Sequence, residues 1–455
     1  MKSKRDLTIW IYVSQATTRE MAGTSRYALV PSFQYKYTGI AEGRRNLAYQ
    51  EETMDFGRRD VIAAKERVYR LAYATPLVEE VPLSSRFGGR ILSKLENLQN
   101  SGSFKIRGAA NKVLSLDRRR VQGVIAASAG NHARGVARAA LEAKIPATLV
   151  MPGWAPVSKS AAAQHEGGGY TRIIHYGETF EDAADHATSL AGTSGFEMVH
   201  PFDDPMVIAG QGTLGVELVE EIGQPGTVYV PVGGGGLLAG IGAAVKEIYP
   251  DSDIVAVQAE GAASLPPSLA AGRPVECGEA RTIADGIAVK SLSARTFEAA
   301  KRWVDDVVTV DDEEIAAAIL YALEEMKTTL EGAGAAPLAA ILYKRPPTRF
   351  PAVMVLSGGN IDVNFLSQIT ERGLFRSGRL IRLRFLMPDR PGSLAALLAA
   401  VARERSNVIR VEHDRLPPDC PPGSSAVVLL LETRDRAHGE ELAARLCEQG
   451  FRPTR

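Results

Sequence analysis

Paired thiols are the first thing missing from this 455-residue chain: its three cysteines, Cys277, Cys420 and Cys447, lie far apart and form no Cys-x-x-Cys pair. That excludes a disulfide framework and a thiolate metal centre, and it fits a reducing, cytoplasmic setting. A charge imbalance is missing too, since 53 basic side chains meet 53 acidic ones. No overall field therefore draws nucleic acid or an anionic membrane. Nowhere does an apolar stretch reach the ~18 residues of a spanning helix. The opening MKSKRDLTIWIYVSQA imitates an export signal in outline, with a basic head, but its apolar run is at the short limit for one. What remains is 45% hydrophobic and 23% charged, a globular composition long enough for two or three cores and suited to small neutral or zwitterionic ligands.

From about Val61 to Leu356, short apolar runs alternate with helical periods. RILSKLE, VQGVIAAS, PATLVMP, TRIIHYG, FEMVHPF, TVYVPV, DIVAVQAE and FPAVMVLS predict strands, while HARGVARAALEAK, FEDAADHATSLAG, GQGTLGVELVEEIG and LAGIGAAVKEIYP predict helices. Such alternation means an α/β fold of crossover units, parallel sheets covered by helices, with sites at the carboxyl ends of strands. The proline-rich LYKRPPTRFPA is a loop inside this region, and the boundary falls near ERGLFRSGRL. Beyond it, LIRLRFLM, LAALLAAVARERS, NVIRVEHDRL, AVVLLLETRD, AHGEELAARLCEQG and FRPT give βαββαβ, a ferredoxin-like module. The division is thus 1–58 unassigned, 59–375 catalytic and 379–455 the small module, with Met54 just ahead of the first regular helix.

Three strand ends carry glycine. In TVYVPVGGGGLLAGIGAA, four glycines from Gly233 to Gly236 precede a helix, so backbone amides and the positive helix end can hold a phosphate. Gly234, Gly236 and Ala239, with Glu260 closing the next strand, also satisfy a dinucleotide fingerprint, and only the other motifs decide between the two. At VIAASAGNHARGVA, small residues and Asn131 at a helix start offer amides to a carboxylate. His132 there is a general base or, as turn histidines more often are, a packing or capping group. At AVMVLSGGNID, Ser357 ends a strand before two glycines. In SGSFKIRGAANK, Lys105 opens a helix, whose positive end disfavours the ammonium form and lowers its pKa. A nucleotide cofactor leaves that nucleophilic lysine unexplained. Pyridoxal 5'-phosphate, which carries both an aldehyde and a phosphate, explains lysine and glycines together.

The segments KLENLQNSGSFKIRGA, SAGNHARGVA, PFDDPMVIAGQGT, VPVGGGGLLAGI, DGIAVK, DDVVTVDDEEI, EGAGAAPLAA and LSGGNID stand in the order of a known family. Over about Val61 to Thr370 the chain resembles the threonine dehydratase (threonine ammonia-lyase) family of fold type II, tryptophan-synthase-β-like pyridoxal phosphate enzymes. The resemblance implies that Lys105 forms the Schiff base with the cofactor beside Phe104, and that Gly233, Gly234, Gly235, Gly236 and Leu237 hold its phosphate. Asn131 then meets the ring hydroxyl and Ser357 the ring nitrogen, while Ser128, Ala129, Gly130, Asn131 and His132 surround the substrate carboxylate. A serine at the ring nitrogen cannot keep it protonated, which favours loss of a β-substituent over transamination. The implied reaction is deamination of L-threonine to 2-oxobutanoate and ammonia, and of L-serine to pyruvate. Arg134 stands where the family usually has glutamine, and Gln258 replaces an acidic residue that helps hold a divalent cation in some relatives, so no metal is expected.

Serine racemase shares these motifs, but its opposite-face acid, a serine before Gly-Asn-His, is Ala129 here. The synthase branch using O-acetylserine would carry a different lysine motif and a threonine-bearing glycine loop. An inactive amino-acid sensor is a rival of another class, opposed by the intact Lys105, Gly233 to Gly236 and Ser357. The tail resembles a single ACT domain, which implies a homodimer or homotetramer and an amino-acid effector at Arg390, Pro391, Gly392, Ser393, Leu394 and Asn407. Isoleucine opposed by valine is the implied regulation, with a purely dimerising module the alternative.

Overall fold

The computed structural model describes residues 55–454, so most of the unassigned 1–58 segment lies outside it. The first helix, Arg58–Val68, is followed by ten strands of the catalytic region: β1 Leu77–Glu79, β2 Ile91–Lys94, β3 Gly123–Ala127, β4 Ala147–Met151, β5 Thr171–His175, β6 Phe196–Met198, β7 Thr227–Pro231, β8 Asp253–Ala259, β9 Asp306–Val310 and β10 Ala352–Val355. They build two sheets. The smaller has the order β5-β4-β3-β6 and is parallel throughout. The larger has the order β1-β2-β10-β7-β8-β9, parallel except for β1 at its edge.

Every predicted strand is present, and the alternation of each explains the layering. Val228, Val230, Ile254 and Ala256 point into one core with Leu238 and Ile241 of the helix Gly236–Lys246. Tyr229, Val255, Val257 and Met354 point into the other with Leu338 and Ile341. A sheet covered on both faces needs such unbroken apolar runs. Two strands escaped the sequence reading. Strand β1 has three half-exposed residues, and β9 is an edge strand that begins with Asp306 right after Asp305, so neither shows a buried-strand pattern.

The chain leaves the larger sheet after β2, builds the smaller one, and returns at β7. The crossing is made by the helix Lys105–Leu114, whose Ile106, Ala109 and Val113 join the core of the smaller sheet. Its Arg107 is fully buried between Glu96 (2.7 Å) and Glu217 (2.5 Å), and buried Lys94 reaches the second oxygen of Glu217 at 2.9 Å. Glu217 comes from the helix Pro205–Ile222, which begins with Pro205 and with Asp204 accepting from the amides of Met206 and Val207. Aspartate at the cap and proline in the first turn are what a helix start favours.

The helix Val363–Arg376 leads to the C-terminal module: β11 Leu380–Pro388, β12 Asn407–Asp414, β13 Ser424–Glu432 and β14 Pro453–Thr454, an antiparallel sheet of order β12-β13-β11-β14. Helices Ser393–Arg403 and Arg436–Glu448 cover one face, burying Phe385, Leu397, Val427, Leu429 and Leu442. The order is the predicted βαββαβ. Among the described residues, no helix is long and apolar enough to cross a membrane.

Candidate active site

Lys105 sits where two glycine-bearing loops are sewn together. Ser103 pairs with Gly358 as an antiparallel bridge, and the Phe104 amide donates to the Ser357 carbonyl at 3.1 Å. Lys105 is the first residue of its helix, as expected; its Nζ donates to the Pro201 carbonyl at 2.9 Å and lies 5.2 Å from the centre of the Phe104 ring. Its pKa is drawn down to about 8, chiefly by burial, against the opposing pull of Glu331. The sequence reading had the direction right and credited the helix end. Desolvation is the larger cause, because the amine has left water for a protein interior.

The four glycines are buried beyond β7. Gly235 has φ +88°, a backbone that side chains rarely adopt, and a Cβ on Gly234 would lie 2.4 Å from the Phe202 ring. The helix Gly236–Lys246 that follows has no side-chain cap. Its first-turn N–H groups therefore face the site without an intrahelical partner, which makes a ready cradle for an anion. Buried Leu237 sits in that turn.

At the end of β3, the Gly130 amide donates to Ser128 Oγ at 3.2 Å, Ala129 is half-buried, and Asn131 opens the helix Asn131–Ala143. The Asn131 amide donates to Glu331 Oε1 at 2.7 Å and accepts from Asn360 at 2.6 Å. Glu331 was not singled out from the sequence. It is 5% exposed, and its pKa is pushed up to about 7, first by burial and then by Asp285. It lies in the EGAGAA segment and Asn360 in LSGGN, so both stood inside quoted motifs, but nothing in the sequence indicates that they meet Asn131.

His132 is buried, and its Nε2 lies 2.7 Å from the Val199 carbonyl, to which it donates. Burial and the nearby Lys105 charge draw its pKa down to about 3. The ring is neutral and pinned, the packing role rather than the basic one. His200 is also neutral: burial lowers its pKa, and its Nδ1 accepts from the amides of Phe202 and Asp203.

Ser357 is 1% exposed, two residues past β10, beside Phe104. Lys105, the glycine cradle, Asn131 and Ser357 thus gather around the carboxyl ends of β2, β3, β7 and β10. The effector residues do not gather in this way. Arg390 to Leu394 follow the end of β11, where Pro388 pairs with Ser424, whereas Asn407 pairs with Glu432, itself opposite Leu380 at the start of β11. At about 3.3 Å per residue the two groups lie roughly 25 Å apart within one chain. Gln258 is engaged with the Val232 carbonyl and the Leu265 amide. Among the described residues, no three His, Cys, Asp or Glu side chains are placed to hold a metal.

An amine whose pKa is lowered by burial, an anion cradle, a side-chain amide and a hydroxyl are the groups that an aldehyde-bearing phosphate cofactor would need, and the residues fit pyridoxal phosphate. Residues 68–358 match the model of the pyridoxal-phosphate-dependent enzymes, and the chain belongs to that family. It is 44% identical to the L-threonine ammonia-lyase of Thermotoga maritima over 393 residues, 86% of this chain and 97% of that one. The processed form of threonine deaminase isoform 2 from Solanum lycopersicum superposes with a TM-score of 0.65 at 38% identity, over 69% of this chain and 86% of that one. Maize serine racemase superposes with a TM-score of 0.65 at 33% identity, over 70% and 98%.

Proposed function

We propose that the chain is an L-threonine ammonia-lyase, releasing ammonia and 2-oxobutanoate, with L-serine as a second substrate giving pyruvate. The observation that carries the reading is the gathering around Lys105 of three loops: the Ser357 loop on the Phe104 amide, the Asn131 loop through Glu331, and the glycine cradle against Phe202, next to the Pro201 carbonyl to which Nζ donates. When bound, pyridoxal phosphate supplies the electron sink that makes the substrate Cα proton removable. Lys105 would anchor the cofactor through Nζ. In the cofactor-free site burial holds the Lys105 Nζ pKa down to about 8, a range suited to an amine that would take the substrate Cα proton. Gly233 to Gly236 with Leu237 would hold the phosphate, with Asn131 toward the ring oxygen and Ser357 toward the ring nitrogen. Ser128 to Asn131 would receive the substrate carboxylate, with His132 pinned to the Val199 carbonyl beside them.

Racemisation is the second reading, favoured by the maize relative. It needs a proton donor on the face opposite Lys105, and Ala129 has none to give. The C-terminal module, taken as 379–455 after a catalytic region 59–375, is an ACT-like regulatory domain for isoleucine and valine. With the Arg390 turn and Asn407 at opposite ends of the sheet, an effector site using both requires a second copy, in keeping with a homodimer or homotetramer in the cytoplasm. The test is a steady-state assay of L-threonine, L-serine and D-serine with and without isoleucine. Release of 2-oxobutanoate from L-threonine supports the reading; no release, or D-serine formation as the faster reaction, overturns it.

A further inference from the structure

Arg134 occupies a position one turn into the helix Asn131–Ala143, and its hydrogen bonds run in a fixed direction. Its Nη1 donates to Asn360 Oδ1. Asn360 Nδ2 then donates to Asn131 Oδ1 at 2.6 Å and to the Ser101 carbonyl at 2.8 Å. Asn131 Nδ2 donates onward to Glu331 Oε1 at 2.7 Å. On its other edge Arg134 Nη2 meets Glu166 Oε1 at 2.8 Å, and Arg138 reaches the second oxygen of Glu166 at 3.5 Å. Glu166 is 8% exposed, so the guanidinium is held by a largely buried counter-charge.

An amide side chain can face its neighbours either way round, with oxygen and nitrogen exchanged. A guanidinium cannot, since it has five donors and no acceptor. Arg134, which can only donate, and the Ser101 carbonyl, which can only accept, together hold the oxygen of Asn360 toward the guanidinium and its NH2 toward Asn131. That in turn demands the Asn131 oxygen, and so aims the Asn131 NH2 at Glu331 and into the site. A glutamine at position 134 carries both a donor and an acceptor, so it leaves that order to the Ser101 carbonyl alone. We infer that Arg134, braced by Glu166, is a positioning residue that acts through Asn360 to fix Asn131 as a hydrogen-bond donor to the cofactor's ring oxygen. The inference rests on the reading of this site as a pyridoxal phosphate site.

The test compares Arg134→Met, Arg134→Gln and Arg134→Lys with the wild type, each loaded with pyridoxal phosphate. The readouts are the cofactor dissociation constant, the visible absorbance maximum of the bound cofactor and the pH midpoint of that band. Arg134→Met is expected to weaken cofactor binding by about tenfold, the scale seen when a group orienting a ligand-holding side chain is lost, and to shift the band. Arg134→Lys, still a pure donor, should keep the wild-type band, and Arg134→Gln should fall between. Should Arg134→Met fail to fold, Asn360→Ala breaks the same chain at its middle and should give the same shift. Wild-type spectra and affinity in a folded Arg134→Met or Asn360→Ala protein overturn the inference, as does a lysine variant no better than methionine. A wild-type protein that binds no pyridoxal phosphate would instead overturn the reading of the site.

Discussion

The catalytic region and the C-terminal module use the same charged side chains in opposite surroundings. Lys94, Glu96, Arg107 and Glu217 are sealed between a strand end and two helices, none more than 3% exposed. In the module, Arg382 meets Glu412 at 3.3 Å with both side chains about half in water. Glu412 and Val428 are cross-strand neighbours on a face that the two helices leave open. A buried charge deprived of its partner has no water to turn to, whereas a solvated one scarcely notices. Ion pairing in the first region fixes the helix that presents Lys105; in the second it dresses a surface.

The largest effect concerns Lys105, to which the proposed reaction assigns its chemistry. Lys105→Ala should cost at least ~4 kcal/mol of barrier, about three decades in rate, and should remove the visible absorbance of the bound cofactor; both follow from steady-state and spectroscopic measurement. Next comes Arg107→Met, which leaves buried Glu96 without its counter-charge and Glu217 with Lys94 alone. It should destabilise the fold by about 3–5 kcal/mol in urea denaturation, far more than the loss of any module pair.

A smaller effect is one of pH. The Glu331 pKa rises from 4.5 to about 7 in the fold, so the native protein binds more protons across that interval and this group's contribution to stability falls as pH rises through it. The Lys105 pKa falls from 10.5 to about 8, so the native protein holds fewer protons there and stability climbs again above pH 8. His132, drawn down from 6.5 to about 3, holds fewer protons in the native protein below pH 6.5 and so opposes the Glu331 slope there; melts of the cofactor-free protein should be nearly flat from pH 4.5 to 6.5, and Glu331→Gln should turn that flat stretch into a rising one. Smallest of all, a double-mutant cycle on Arg382 and Glu412 should return less than ~1 kcal/mol. A coupling of several kcal/mol there would erase the contrast between the two regions.

Much of this was legible from the sequence. Long apolar runs gave the central strands, and the helical periods gave the covering helices, because burial on both faces leaves a strong mark. Edge strands β1 and β9 left none. Within the site, the residues on glycine-bearing strand ends stood out by local composition alone. Glu331, Asn360 and the Arg134–Glu166 pair did not, since their meaning lies in whom they touch across 200 residues or more for Asn131 and its two partners. The Lys105 pKa shows the same limit: its direction could be argued from a helix start, but its main cause is burial, which only the packed fold supplies.

One consequence concerns synthesis. Strand β10 lies between β2 and β7 and carries Ser357 just beyond its end. A chain emerging in order must hold two edges of its larger sheet open until residue 355 has appeared, and no earlier fragment can complete the site. Unpaired parallel edges invite pairing with other chains. The interval between the appearance of β7 and that of β10 is therefore the stretch of biosynthesis in which this protein most needs protection from its neighbours, and a nascent chain stalled there should neither bind the cofactor nor stay in solution unaided.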